Sequence, residues 1–289
     1  MKRIPPTHWL TFITLTGLSL VVLIFRGKIP LWHSLLLSYA LLFGLLFALK
    51  ASSDYGLAGK VGTFFHQSSP ILFVVLIYES LGSLIHYLRP DVDSCLIGID
   101  FSVFGVHPSV WIERWIVPWF TDIMSIAYIS YYFLPVILIW VLYLKNPMRE
   151  FDESVFVLLF GYYLSFIGYI LFPAIGPRYT LSYLNSVPLE GSFITDFVRD
   201  ILNTLEHNKR DCMPSGHTQI ALIVLFLAYR YQRVLFYVFL PFVCGLILST
   251  IYLRYHYVID LLAGALLAVG CMIGGPRLYR WWSLRTKTP

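Results

Sequence analysis

Long apolar runs separated by short polar segments dominate this chain. Eight of them approach the roughly 20 residues that an α-helix needs to cross a membrane. They span about 9–25, 31–49, 68–88, 124–144, 153–172, 217–230, 233–253 and 257–275. Only Arg26 to Pro30 separates the first two, which predicts a helical hairpin, and the sixth run is short. The pattern predicts an all-α, polytopic transmembrane helical bundle of about six to eight spans.

Two longer connections, 89–123 and 173–216, join these runs. In the second, apolar residues between Phe193 and Leu205 recur at helical spacing, which predicts an amphipathic helix along the membrane surface. The first contains three tryptophans at four-residue spacing, which predicts one helical face at the interface. They are Trp111, Trp115 and Trp119. The alternative is that both segments simply pack over the bundle.

Composition indicates that lipid is the main solvent of the chain. Of its 289 residues 58% are hydrophobic and only 13% are charged, whereas soluble domains typically have about 25% charged residues. The net charge of +5 is attributed to Lys and Arg near helix ends. The sequence has no basic block with interleaved aromatics, so no nucleic acid partner is expected. The four cysteines lack CxxC spacing, which excludes the common zinc and redox motifs.

The basic residues also predict an orientation. Eight spans place both ends of the chain on one side, and the densest basic cluster lies between Arg277 and Lys287. The termini are therefore expected in the cytoplasm, and both long connections on the outer, periplasmic or lumenal, side. The N-terminal run is expected to be a retained anchor because no small-residue cleavage site follows it. Cys95 and Cys212 would share the outer side, where a disulfide between them is one hypothesis.

The first stretch with candidate chemistry is DCMPSGHT, at the start of the sixth run. A Pro-Ser-Gly turn that leads into a helix exposes backbone N–H groups and the Ser215 hydroxyl, which suit phosphate oxygens. His217 then lies on the first helical turn, where it can exchange a proton with a bound substrate. The string PSGH alone is weak evidence, and a plain helix-capping turn is the alternative.

The second stretch is YLRYHYVID, at 252–260. His256 and Asp260 are four residues apart and share one helical face, so the carboxylate can fix the imidazole tautomer and raise its nucleophilicity. Arg254 is always charged and suits a phosphate oxygen. Ionisable residues at the head of an apolar span are costly unless they function. The alternative is a structural His–Asp pair beside an arginine that extends to the interface.

Together, PSGHT and YLRYHYVIDLLAG resemble the type 2 phosphatidic acid phosphatase (PAP2) superfamily. Within it, the chain is most similar to the inositol phosphorylceramide synthase-like phosphotransferases, as DSCLIGID at 93–100 and FPAIGPR at 172–178 also indicate. The resemblance implies a six-helix catalytic core with interfacial amphipathic helices. The expected domains are an N-terminal hairpin at 1–66, a catalytic membrane domain at 67–276 and a basic cytoplasmic tail at 277–289.

Carried over residue by residue, the resemblance implies a role for each candidate. His256 is the nucleophile that forms a phosphohistidine, Asp260 orients it, and His217 is the general acid. The phosphate ligands would be Ser215, the Gly216 backbone, Arg254 and Arg178. The resemblance implies no metal and no other cofactor. The expected partners are a lipid phosphate substrate, a hydroxyl acceptor (lipid, polyol or water) and the surrounding membrane lipids; the sequence leaves the oligomeric state open.

The chain departs from the lipid phosphate phosphatases of this superfamily. Those enzymes have a Lys, six residues and then Arg-Pro ahead of PSGH, and no Lys here precedes an Arg at that spacing. They also have an Arg six residues before the nucleophile, where this chain has Thr250. Arg178 is expected to supply part of the missing charge, with Lys209 and Arg210 as weaker candidates. These departures favour a phosphotransferase.

Two other functions remain as alternatives. One is hydrolysis of a lipid phosphate or diphosphate with water as the acceptor. The other is a membrane transporter, although the ionisable residues cluster at one end of the helices rather than near mid-membrane. Three acids of the first connection, Asp91, Asp93 and Asp100, are expected to be solvated, with cation binding or acceptor recognition as the alternatives.

Overall fold

The computed structural model describes residues 4–54, 59–205 and 208–285. The α-helices in these ranges are α1 (Pro6–Ile24), α2 (Trp32–Asp54), α3 (Gly59–Gly82), α4 (Asp93–Phe104), α5 (Pro108–Trp111), α6 (Pro118–Lys145), α7 (Met148–Leu171), α8 (Pro177–Thr180), α9 (Thr195–Leu205), α10 (Gly216–Tyr231), α11 (Arg233–Tyr252) and α12 (Val258–Arg285). Short 3-10 turns lie at Ile85–Tyr87, Ile112–Trp115 and Ser182–Leu184. The all-α prediction is confirmed.

Each of the eight apolar runs coincides largely with one α-helix, although the third, 68–88, extends past the end of α3 at Gly82. Within the described ranges, seven helices are long and apolar enough to cross a membrane, namely α1, α2, α3, α6, α7, α11 and α12. The remaining helix, α10, contains the sixth run and has only 16 residues. Its length agrees with the prediction that this run is short. The chain is therefore an integral membrane protein with a polytopic helical bundle.

The most deeply buried candidate span is α7. In its apolar window 61% of the residues are buried, against 28–44% in the other six candidates. Phe156 of α7 and Leu227 of α10 are fully buried in the main core. Val234 and Leu266, on α11 and α12, are each 74% exposed, as expected of side chains that face lipid. The core thus lies between helices whose outer faces remain apolar.

The first long connection folds into two short helical pieces. Asp93–Phe104 and Pro108–Trp115 together pass the same apolarity test and are bent by 64° at a short break, the geometry of a broken span or a re-entrant loop. The prediction that Trp111, Trp115 and Trp119 share one helix is wrong. Val117 is extended and Pro118 starts a new helix, so Trp119 belongs to α6.

The second long connection contains the predicted amphipathic helix, α9. Its residues Val198 and Leu202 are buried, whereas Phe197 is 66% exposed. Asp122 of α6 holds the start of α9, because its carboxylate accepts hydrogen bonds from the four backbone N–H groups of 192–195. The helix therefore packs on the bundle with one face and leaves an apolar side chain exposed on the other.

Two other predictions concern the cysteines and the C-terminal segment. Cys95 and Cys212 are both free cysteines, the first exposed and the second buried, so the hypothesis of a disulfide between them is wrong. The segment 277–285 continues α12 as a helix, whereas Lys287 lies outside the described residues. The division into three domains stays a prediction.

Candidate active site

The Pro-Ser-Gly turn is fastened to the start of α12. The backbone N–H of Ser215 donates to the carbonyl oxygen of Asp260 at 3.0 Å, and Ser215 Oγ accepts from the N–H of Thr218 and caps α10. A Cβ atom at Gly264 would lie only 2.4 Å from the Ser215 carbonyl oxygen. The close contact fixes the distance between the segments that carry the two candidate histidines.

A tight turn after α11 carries the second histidine. The carbonyl of Thr250 accepts the N–H groups of Tyr255 and His256, and the carbonyl of Ile251 accepts that of Arg254. This is the hydrogen-bond pattern of a Schellman helix ending, whose left-handed position usually belongs to glycine. Arg254 occupies that position with φ of 65°. A charged side chain therefore stands where the backbone favours none.

The two imidazoles meet at the end of the bundle where these turns lie. Nδ1 of His217 is 3.2 Å from Nε2 of His256, and Nδ1 of His256 is 3.2 Å from Oδ2 of Asp260. The His256 Nδ1 atom is also 3.1 Å from the Cys212 carbonyl oxygen. Two acceptors thus face Nδ1, which therefore carries the proton and leaves the Nε2 lone pair toward His217. All of these side chains are buried.

Electrostatics around His256 favour its charged form. Burial alone would lower its pKa, but the charge and hydrogen bond of Asp260, with Asp211 and the Cys212 carbonyl, together raise the pKa above the ordinary 6.5. The Cys212 thiol donates to Oδ2 of Asp260 at 2.7 Å. Burial and this carboxylate raise the pKa of Cys212 well above its ordinary value, so the thiol stays protonated.

Tyrosines from α6 enclose the His217 ring. The ring centroids of Tyr128 and Tyr131 lie 4.7 and 4.3 Å from that of His217. Tyr128 also stacks on Tyr255 at 4.5 Å. These two α6 tyrosines are sequence-distant from both motifs, and their apolar helix offered no signal that distinguished them from core aromatics. They restrict the orientation of the imidazole.

Two adjoining cavities open at this end of the molecule. The smaller, about 40 Å³, is lined by His217, His256, Arg178 and Lys209 among others. The larger, about 300 Å³, is lined by Arg178 and Arg254 among others. Arg178 and Tyr255 line both cavities, and the guanidinium donates to the Tyr255 hydroxyl at 2.9 Å. The histidines therefore face a small cationic cavity with a larger one beside it.

The four predicted phosphate ligands are distributed unevenly over these cavities. Arg178 reaches the small cavity beside both histidines, whereas Arg254 lines the larger one. Within the described residues, Ser215 and Gly216 line neither. Ser215 is fully buried as the helix cap, and a Cβ at Gly216 would lie 2.2 Å from the Tyr169 hydroxyl. Both support the turn that presents His217.

The two weaker candidates for phosphate ligands, Lys209 and Arg210, lie in different surroundings. Lys209 lines the small cavity. Arg210 is engaged elsewhere, because its Nε and Nη2 atoms donate to the two oxygens of Asp91 at 2.6 and 2.9 Å. The arrangement leaves Lys209 and Arg178 as the cations that face the histidines.

A buried acid that sequence reasoning missed holds Arg254. Nη2 of Arg254 donates to Oε1 of Glu113 at 2.6 Å and to the carbonyl of Val187 at 2.7 Å. Glu113 also accepts from the backbone N–H and hydroxyl of Ser186. The Nε atom of Arg254 is buried and has no hydrogen-bond partner in the described part of the chain. One edge of the guanidinium is thus fixed, whereas the buried Nε atom stays unpaired in the described ranges.

The expectation that Asp93 and Asp100 are solvated is wrong. Asp93 accepts from the N–H groups of Ile175 and Gly176 and from the Tyr257 hydroxyl. Asp100 accepts from the first two N–H groups of α12, those of 258 and 259. Both carboxylates are buried. They brace the segments on either side of His256 because those backbone donors would otherwise be unpaired.

One group of side chains has the composition of a metal site. In the ranges that the structure describes, the candidate donor atoms of Cys212, His256 and Asp260 lie within 4.8 Å of one another. The same atoms already bond one another, which explains their proximity without an ion. The expectation of no metal stays a prediction.

Fold and site define a polytopic helical membrane protein with a buried, hydrogen-bonded histidine pair at one end of its bundle. The profile of the PAP2 superfamily matches residues 97–273, more than half of the chain, which therefore belongs to that superfamily. A PA-phosphatase related-family protein of Dictyostelium discoideum is 26% identical over 178 residues, which are 54% of this chain and 32% of that protein. The chain thus covers about a third of that relative's length.

No solved structure matches the chain significantly. Superfamily membership confirms the predicted PAP2 resemblance and agrees with the prediction of an enzyme of the phosphatase or phosphotransferase class. The match begins at residue 97, inside α4. The narrower assignment to the inositol phosphorylceramide synthase-like branch stays a prediction.

Proposed function

We propose that this protein transfers a phosphoryl or phospho-head-group from a lipid phosphate ester through a phosphohistidine at His256. One observation carries the proposal: Asp260, His256 and His217 form a hydrogen-bonded chain beside a small cationic cavity. The carboxylate holds the proton on Nδ1 of His256, so the Nε2 lone pair points toward His217, which lines the same cavity. This is the arrangement that a nitrogen nucleophile requires.

In the first step, Nε2 of His256 attacks phosphorus and the bond from phosphorus to the leaving oxygen breaks. Burial and the neighbouring His256 lower the pKa of His217 well below 6.5 in the free protein, so its imidazolium form requires the anionic phosphate between the two rings. The imidazolium then gives its proton to that oxygen, and the lipid alcohol leaves. In the second step, an acceptor hydroxyl loses its proton to His217 and attacks phosphorus. The P–N bond then breaks and both histidines return to their starting forms. The phosphate must enter between two nitrogens that are hydrogen-bonded in the free protein.

Cationic side chains would stabilise the charge on the transferred group. Arg178 and Lys209 line the cavity of the two histidines, so they are proposed as its main phosphate ligands. The roles predicted for Ser215, Gly216 and Arg254 stay proposals, since Ser215 caps a helix and Arg254 lines the adjoining cavity. Arg178 would thereby supply part of the positive charge that the related phosphatases have in an Arg at the position of Thr250.

The acceptor and the membrane side are part of the same proposal. The sequence departures from lipid phosphate phosphatases favour transfer to a lipid hydroxyl or polyol over transfer to water. The basic residues near 277–285 favour a cytoplasmic C-terminal end, and we propose that the site lies on the outer, periplasmic or lumenal, face. Hydrolysis remains the second candidate, because water can take the place of the alcohol in the same mechanism.

The purified full-length protein, incubated with a labelled lipid phosphate with and without alcohol acceptors, tests this proposal. A new phosphodiester lipid indicates transfer, and free phosphate alone indicates hydrolysis. His256→Ala should abolish both the turnover and an acid-labile protein label, and His217→Ala should lower turnover by about a thousandfold or more. His86→Ala, at an exposed histidine near the same end, is the matched control. Wild-type turnover in His256→Ala would refute the mechanism.

A further inference from the structure

Guanidinium groups line the larger cavity, although two of them are paired with acids outside the lining: Arg199 with Asp196 and Arg254 with Glu113. Three arginines line it, namely Arg178, Arg199 and Arg254, and Glu190 is the single acid among its described lining residues. Its volume of about 300 Å³ exceeds that of the histidine cavity, about 40 Å³. A concave surface with several guanidinium groups attracts anions, and planar N–H donors suit phosphate oxygens in particular.

Arg254 lines this cavity with a largely buried side chain. Its side chain is only 8% exposed, and Nη2 is engaged by Glu113. Nε has no partner in the described ranges although it is buried. A buried N–H without an acceptor is unfavourable, but Nε is not accessible, so a bound anion would contact the part of the Arg254 side chain that lines the cavity. The left-handed backbone at φ 65° costs free energy, which the contacts around the arginine must offset.

The cavity is joined to the catalytic one through Arg178. This side chain and Tyr255 line both spaces, and they bond each other at 2.9 Å. Arg199 completes the opposite wall from α9, where Asp196 and the Leu189 carbonyl hold its guanidinium. An anion in the larger cavity would therefore lie beside the group that is transferred to His256.

We propose that the larger cavity is a second anion subsite, which binds a phosphate group other than the one transferred to His256. The role of this subsite in turnover rests on the proposed function. The second phosphate has two sources of the same chemistry: the distal phosphate of a lipid diphosphate donor, or a phosphate on the acceptor alcohol. In either case Arg199 and Arg254 select the substrate, and Arg178 contacts both groups.

Binding to the purified full-length protein tests the subsite without turnover. Inorganic phosphate and pyrophosphate are the probes, measured by calorimetric titration. Pyrophosphate should bind about tenfold or more tightly than phosphate, because it can occupy both cavities. Arg199→Gln and Arg254→Gln should each lower this ratio, whereas Arg26→Gln, at an exposed arginine outside both cavities, is the matched control. Equal affinities in the wild type, or a ratio that both variants retain, would overturn the subsite.

KM values for different donors and acceptors then distinguish the two sources of the second phosphate. A KM increase in Arg199→Gln that is confined to lipid diphosphate donors, relative to monophosphates, assigns the subsite to the donor. An increase confined to phosphorylated acceptors assigns it to the acceptor. An equal increase for every substrate contradicts a specificity role. Absence of any lipid turnover would refute the proposed function alone, since the pyrophosphate titration would still decide whether the subsite exists.

Discussion

The guanidinium of Arg254 and the carboxylate of Glu113 form a buried ion pair at 2.6 Å, with each side chain only 8% exposed. Glu113→Gln should lower the free energy of unfolding by about 2 kcal/mol, because a buried guanidinium loses its counter-charge. Thermal unfolding in detergent measures the change. In an Arg254→Gln background the same substitution should cost much less. Equal costs in both backgrounds would show that the ion pair is not the cause.

The pH dependence of turnover should report His256. Its neutral form is the nucleophile, so kcat/KM should fall as the pH drops through a pKa that lies above the ordinary 6.5. Asp260→Asn removes the charge that raises this pKa, so the acid limb should move to lower pH. The maximal rate should also drop, by roughly 10²–10⁴-fold. Asp200→Asn, at an exposed acid on α9, should leave the profile in place; an upward shift in Asp260→Asn would contradict the assignment.

The left-handed backbone of Arg254 predicts an unusual order of stabilities. Arg254→Gly and Arg254→Ala both remove the guanidinium, but only glycine relieves the strain at φ 65°. The glycine variant should therefore be more stable than the alanine variant by about 1 kcal/mol. Parallel thermal melts of the two proteins provide the comparison. A more stable alanine variant would mean that the backbone at this position is not left-handed.

Close packing at Gly264 predicts a loss of both stability and turnover. The Cβ of Gly264→Ala would lie 2.4 Å from the Ser215 carbonyl oxygen, so α12 must shift and the two imidazoles with it. The cost should be about 1–3 kcal/mol, with reduced kcat. Gly270→Ala is a matched control on the same helix, where an added Cβ has nothing within 4 Å. That variant should be neutral or slightly stabilised; similar losses in both would argue against the contact.

Apolar periodicity was sufficient to predict the bundle. Each predicted run lies largely in a helix, since a span needs little beyond length and apolarity. The pairing of His256 with Asp260 also followed from spacing, because residues four apart share a helical face. The meeting of His217 with His256 did not, since 38 residues and a complete helix, α11, intervene. Only the resemblance to a family suggested that contact.

The missed residues have partners far away in the chain. Glu113 reaches Arg254 across 141 positions, and Asp100 reaches the start of α12 across 158. Each acid stands in the connection between two predicted spans, where solvation is the simplest expectation from sequence alone. The tryptophan spacing misled for a local reason, because a proline at 118 restarts the helix between Trp115 and Trp119. These errors arise from tertiary contacts and from a break between two helices, which local helix propensity does not reveal.

Asp93 fastens the 175–176 turn and Tyr257 to the front of α4, yet the superfamily match starts only at residue 97. A fragment or chimera trimmed to the matched range would thus discard the carboxylate that steadies the chain next to His256. The N–H groups of Ile175 and Gly176 and the Tyr257 hydroxyl would then all lose their acceptor. The smallest portable catalytic unit of this protein should accordingly start ahead of Asp93.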